Sequence, residues 1–184
     1  MIAQIEKRIH RMLGSIRLAF RGVVSHVNTA PKVSLVQGDG LSKEQLQGAE
    51  YFQHFGLATN PPPGSMMIVL PIGGKTTHGV VIATEHGTYR FVNLGVGESA
   101  LYDMYGKSIH LSKDRITING GDKEILITNT PKVRMETALL EVTGEIKDKC
   151  DSSGETMSGM RNIYNTHTHP GDSGGTTGQP NQDM

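Results

Sequence analysis

Tryptophan is absent, cysteine occurs once, at Cys150, and aromatic residues make up only 5% of the 184 residues. A single cysteine excludes an intrachain disulfide, so rigidity must come from elsewhere, and a free structural thiol is the simplest reading. With so few aromatics, a hydrophobic fraction of 36% is thin for a self-sufficient core of this length. An excess of either charge is also missing. Lys plus Arg and Asp plus Glu are each 18, without the positive excess that a dedicated nucleic-acid binder carries. No apolar run approaches a membrane span. Charges interrupt every short apolar stretch through Phe20, which is unlike a signal peptide, and the expectation is assembly in the cytoplasm.

What is present is glycine, 23 residues of it, spread along the chain after the first helix-like stretch. Together with the thin core, this suggests apolar side chains buried against other subunits or in a narrow, repetitive core. Ile2, Ile5, Ile9, Met12, Leu13 and Ile16 recur at helical spacing with charges between them, predicting an amphipathic helix. Lys7, Arg8, Arg11, Arg17 and Arg21 face a single acid, Glu6, in this stretch. Its apolar stripe needs a partner: the following domain, other subunits or, less commonly, a membrane surface.

From Leu18 to Asn93 the chain reads as short strands at Leu18 to Val27, Val33 to Gln37, Met66 to Leu70, Gly79 to Thr84 and Thr88 to Asn93. Breaks such as Asn60-Pro61-Pro62-Pro63-Gly64 separate them. A short polar helix is expected within Ser42 to Gln53. Such a set fits a small closed barrel of the OB-fold kind, which by itself decides no function. Beyond residue 95 the segments become short and alternating: Ile109 and Leu111, Ile116 and Ile118, Ile125 and Ile127, Val133 and Met135, Leu140 and Val142. Alternation with period two places one apolar row inward. One chain would leave that row wet, whereas three chains wound about an axis would hide it.

The segment after Ser152 has the composition of a disordered terminus, except for His167-Thr168-His169. On an extended backbone both imidazoles project to one side. Two ligands are too few for a structural metal; three chains at an axis supply six imidazole nitrogens, a set suited to Fe2+ or Ni2+ more than Zn2+, with iron the better supplied in cells. Asp172 and Ser173 offer oxygen ligands for Ca2+ nearby, solvated turn residues being the simpler reading. Gly171-Asp172-Ser173-Gly174-Gly175 matches the sequence around a serine-protease nucleophile, but Thr176 follows where Pro is usual and no Ala-Ala-His-Cys-like segment precedes it. The base and orienting acid of a triad need two barrels to hold them, so no protease is expected.

The run Gly95-Val96-Gly97-Glu98-Ser99-Ala100-Leu101-Tyr102-Asp103-Met104-Tyr105-Gly106-Lys107-Ser108-Ile109-His110-Leu111 resembles the start of the β-helix in the phage baseplate assembly protein V and Mu-type spike family. Phe52-Gln53-His54-Phe55-Gly56-Leu57, Pro63-Gly64 and Ile72-Gly73-Gly74 resemble that family's barrel. His167-Thr168-His169 with Gly174, Thr177, Gly178 and Pro180 resembles its apex. The resemblance implies an all-β homotrimer: an amphipathic helix (residues 1–17), an OB-fold collar (18–94), an intertwined triple-stranded β-helix (95–162) and a metal-bound apex (163–184). It implies that His167 and His169 of each chain bind one iron ion, with calcium and chloride ions near the tip and Asp172 a candidate for the calcium. The implied partners are the tail hub protein and, in passing, the host outer membrane, which the virion's contractile tail drives the spike through. The implied role is mechanical and not enzymatic; larger relatives carry a lysozyme domain, for which this chain has neither the length nor the paired acids.

Two other readings compete. An OB-fold nucleic-acid binder with a disordered His-containing tail would need a basic groove beside Tyr51, Phe52, Phe55, Tyr89 and Phe91, and no basic cluster surrounds them. A metalloenzyme would need a third strong ligand and a pocket beside His167 and His169.

Overall fold

Residues 2–41 and 44–184 are described by the computed structural model of the chain. Two units divide it, residues 1–126 and 127–184. The first opens with the predicted amphipathic helix, α1 (Ile2–Gly14). The chain then leaves the helix through an anchored linker. The Arg17 amide donates to the Gly74 carbonyl at 3.0 Å, and the Arg17 guanidinium pairs with Glu44 at 2.8 Å while lying 4.3 Å over the Phe20 ring.

Five strands follow: β1 (Phe20–Asn28), β2 (Ser34–Asp39), β3 (Gln45–Tyr51), β4 (Met66–Pro71) and β5 (Gly79–Glu85). They close into a barrel in the order β1-β2-β3-β5-β4, antiparallel throughout except for the β3–β5 pair. Closure leaves no lateral edge unpaired. Inside lie Phe20, Val24, Val27, Val36, Leu46, Ala49, Tyr51, Met67, Val69 and Val81. Met67 lies against two glycines of neighbouring strands. A Cβ at Gly22 would stand 2.7 Å from Met67 Cε, and one at Gly38 would stand 2.6 Å from it. Glycine is required there because a side chain would occupy the thioether's space. The Tyr51 hydroxyl, the polar end of a core side chain, hydrogen-bonds Thr84 Oγ1 at 2.9 Å and Thr59 Oγ1 at 3.2 Å.

Two expectations are corrected in the barrel. The segment expected as a polar helix, Ser42 to Gln53, is strand β3 from Gln45 to Tyr51; Ser42 and Lys43 lie outside the described residues. Its partner register runs from Val36↔Ala49 to Gln37↔Gln47, so Gly48, at φ +83°, is the extra residue of a β-bulge. The bulge moves the inward positions from Leu46 to Ala49, a spacing of three that imitates a helix. The expected strand Thr88 to Asn93 is a turn and irregular segment. Both sides of β5 are already taken by β3 and β4, so the barrel has no place for a sixth strand.

After the barrel comes a small antiparallel meander of β6 (Ser99–Tyr102), β7 (Ser108–Leu111) and β8 (Ile116–Asn119). Its first turn is held by Asp103 Oδ1, which accepts from the amides of Tyr105 at 2.8 Å and Lys107 at 3.0 Å. Gly106, at φ +87°, completes it. In the second unit the expected alternating segments at Val133 and Met135 and at Leu140 and Val142 pair with no strand of the single chain. A helix that the all-β expectation did not contain, α2 (Met157–Thr166), follows. Among the described residues none beyond Val81 is buried.

Candidate metal centre

The histidine pair is positioned by the two structures that flank it. On its N-terminal side stands α2, capped by Thr156, whose Oγ1 accepts from the Gly159 amide at 3.0 Å. The Glu145 carboxylate lies at the same helix end, where the Ser158 hydroxyl first, then the Ser158 amide, the Thr156 hydroxyl and the Arg161 charge, hold its pKa below the ordinary value against desolvation that raises it. The helix ends at His167, which is extended at φ −70° and ψ 150°. Pro170 keeps the helix from resuming, because it drives His169, the residue before it, out of the helical region.

On the other side is a hairpin. The His169 amide donates to Thr177 Oγ1 and the Thr177 amide to the His169 carbonyl, both at 2.9 Å, and Pro170 bridges Thr176. The Gly171 amide donates to the Gly175 carbonyl at 2.7 Å, with Gly174 at φ +79° between them. The protease-like Gly-Asp-Ser-Gly-Gly segment is therefore a hairpin loop, whose glycines serve a tight turn.

Between these supports the His167 and His169 rings lie with centroids 5.0 Å apart and planes nearly perpendicular at 88°. His167 Nδ1 lies 2.6 Å from the Tyr164 carbonyl. A carbonyl only accepts, so Nδ1 carries a proton, and in the neutral imidazole the lone pair is then on Nε2. That arrangement fits a metal ligand, whose second ring nitrogen is normally tied to an acceptor. Tyr164 contributes through its backbone, which is why no side-chain signal in the sequence marks it. Asp172 sits exposed in the hairpin turn. Among the described residues no group of three or more His, Cys, Asp or Glu is gathered in one chain, so Asp172 does not complete a three-ligand set with the pair.

A second polar cluster, missed in the sequence, lies at the start of the small sheet. Glu98 accepts from the Gly95 amide at 2.9 Å, the Lys113 amide at 3.1 Å and His110 Nε2 at 3.2 Å. The Phe91 ring packs 4.9 Å from His110. The Gly95 amide first, the Lys113 amide next and His110 to a smaller extent hold the Glu98 carboxyl below its ordinary pKa, against partial burial that raises it. A lowered folded pKa contributes stability that is present above the unfolded value and lost as pH falls through the folded one. Hydrogen exchange of residues 95–113, corrected for intrinsic rates, is expected to lose protection on acidification below about pH 4. The Glu98→Gln variant should show no such step. An unchanged step in the variant would assign the transition to another group.

Barrel, alternating segments and histidine pair together define a class: a β-rich chain with a closed five-stranded barrel, followed by segments whose apolar side chains are exposed in the single chain. The family described as Bacteriophage Mu Gp45, N-terminal, matches residues 21–88, which span the barrel. Over 191 positions, covering 97% of this chain and 93% of the relative, the sequence is 28% identical to the baseplate puncturing device gp45 of Escherichia phage Mu. It is 30% identical over 151 residues to the Mu-like prophage FluMu protein gp45 of Haemophilus influenzae, covering 82% of this chain and 77% of that one. A 68-residue stretch, 36% of this chain and 29% of the relative, is 38% identical to the spike protein of Escherichia phage P2. The chain belongs to the Mu Gp45 family.

Proposed function

We propose that this chain forms the homotrimeric central spike of a contractile-tail baseplate in a virion and penetrates the host outer membrane when the sheath contracts. The carrying observation is the distribution of burial. Every described residue that is buried lies between Phe20 and Val81, while Ile116, Ile118, Ile125, Val133, Met135, Leu140 and Val142 are exposed. Two further copies on a three-fold axis supply the cover, and the names borne by the phage Mu and phage P2 relatives supply the setting.

In this reading the barrel is an OB-fold collar seated on the tail hub, residues 95–156 are a triple-stranded β-helix, and α2, which takes up the last residues expected for the shaft, leads into the apex. Strands that lack a partner within one chain find it in the next, so interchain hydrogen bonds share the axial load. Residues 163–184 form the apex. His167 and His169 of three chains hold an iron ion, which when bound cross-links the three chains. The residues fit it, since each chain offers two adjacent imidazoles and His167 has its Nε2 free. Asp172 offers an oxygen ligand for a calcium ion at the same end, where chloride can also lie. The role is mechanical and needs no turnover, and nucleic acid is not a partner. Tyr51, one of the aromatics such a partner would stack on, is buried and hydrogen-bonded to Thr59 and Thr84.

Native mass measurement with elemental analysis of the same sample tests the reading. A trimer carrying one iron atom is expected. A metal-free monomer would overturn both the axis and the site.

A further inference from the structure

The stripe of α1 has a finer pattern than amphipathicity. Ile2, Ile5, Ile9 and Met12 follow at spacings of three, four and three residues, the a and d positions of two heptads. All four are exposed, at 74%, 52%, 50% and 70%. Leu13, also exposed, falls at an e position and widens the face. Lys7, His10 and Arg11 fall at f, b and c, the positions farthest from a seam, and Arg8 at g is the one cation beside it. Identical copies brought together along this stripe therefore meet through aliphatic side chains and keep most of their like charges apart.

We propose that α1 packs with α1 of two further copies as a short parallel three-stranded coiled coil on the barrel side of the spike. Isoleucine at both a and d disfavours two strands and favours three or four, and the three-fold axis of the proposed spike selects three. The inference rests on that trimeric reading and goes beyond it. A coil of 13 residues, about 20 Å long, is marginal alone. Here each helix is tethered to a barrel by the Arg17 anchor at Gly74 and Glu44. Copies already joined by their shafts present the helices to one another at high effective concentration. An interfacial membrane helix instead places Trp, Phe or Leu opposite its basic face. The stripe of α1 has no Trp or Phe, and three of its four a and d residues are isoleucine.

The test uses the full chain with Cys150→Ser and one new cysteine, treated with a bis-maleimide shorter than a helix diameter. Met12→Cys, at the seam, is expected to join copies at least about tenfold faster than Lys7→Cys, at the outer face. Ile5→Cys serves as a second seam variant in case Met12→Cys perturbs folding. Equal rates in a sample that sediments as a trimer would overturn the coil and leave the trimer standing. Monomers in every variant would overturn both. A fluorophore attached to the thiol of the Met12→Cys variant that shifts to the blue only with anionic phospholipid vesicles would assign the stripe to a membrane surface, against the proposal.

Discussion

Aspartate at both Val133 and Leu140 is expected to convert the trimer into monomers, read by sedimentation or native mass. Both side chains are exposed in the single chain, at 55% and 57%, and in the proposed prism both turn toward the axis. Three chains would then carry six carboxylates into a narrow apolar space with no cations to meet them. An uncompensated buried charge costs about 3–5 kcal/mol, and the cost is repeated in every chain. If these residues were ordinary wet surface, the same substitutions would change stability by no more than about 0.5 kcal/mol. The two readings therefore differ by an order of magnitude in a single experiment. The barrel should survive in the monomer, because Val36, Val69 and Val81 are fully buried within one chain. Retained β-sheet dichroism with lost association would locate the effect in the shaft. A stable trimer carrying both aspartates would remove Val133 and Leu140 from the axis.

The barrel was legible where its strands alternate without interruption, as in β4 with Met67 and Val69 inward. It was illegible at β3, because the bulge at Gly48 replaces period two with a spacing of three, and a local pattern cannot tell that from a helix turn. The turn at Thr88 to Asn93 shows a different limit. Its residues suit a strand, yet the barrel closed without them, a fact held by long-range pairing and not by local composition. Helix α2 was hidden for a third reason. Met157, Met160, Ile163 and Tyr164 lie at helical spacing, but Gly, Ser, Thr and Asn around them gave the segment the composition of a loose tail. The histidine pair was the opposite case. The closeness of its two rings follows from one residue spacing, which is local and stands in the sequence directly. Glu98 left no signal, since two of its three partners are backbone amides.

Replacing His167 and His169 together with Ala is expected to take the iron content of the proposed trimer from one atom to none while the trimer persists. The rings stand 5.0 Å apart on one short extended segment, so each chain gives two nitrogens and the double variant gives none. A single His169→Ala leaves three imidazoles at the axis, a number that suits four-coordinate Zn2+ completed by water more than octahedral iron. Its metal preference should shift accordingly. Bound metal stabilises only the ordered apex, by an amount set by its concentration over its dissociation constant. Its loss should therefore speed proteolysis after Thr166 and spare residues 95–156. Dissociation of the double variant into monomers would mean that the ion, and not the apolar rows, holds the chains together. Iron retained at one atom per trimer would mean that other residues bind it, and the free Nε2 of His167 would then need a different purpose.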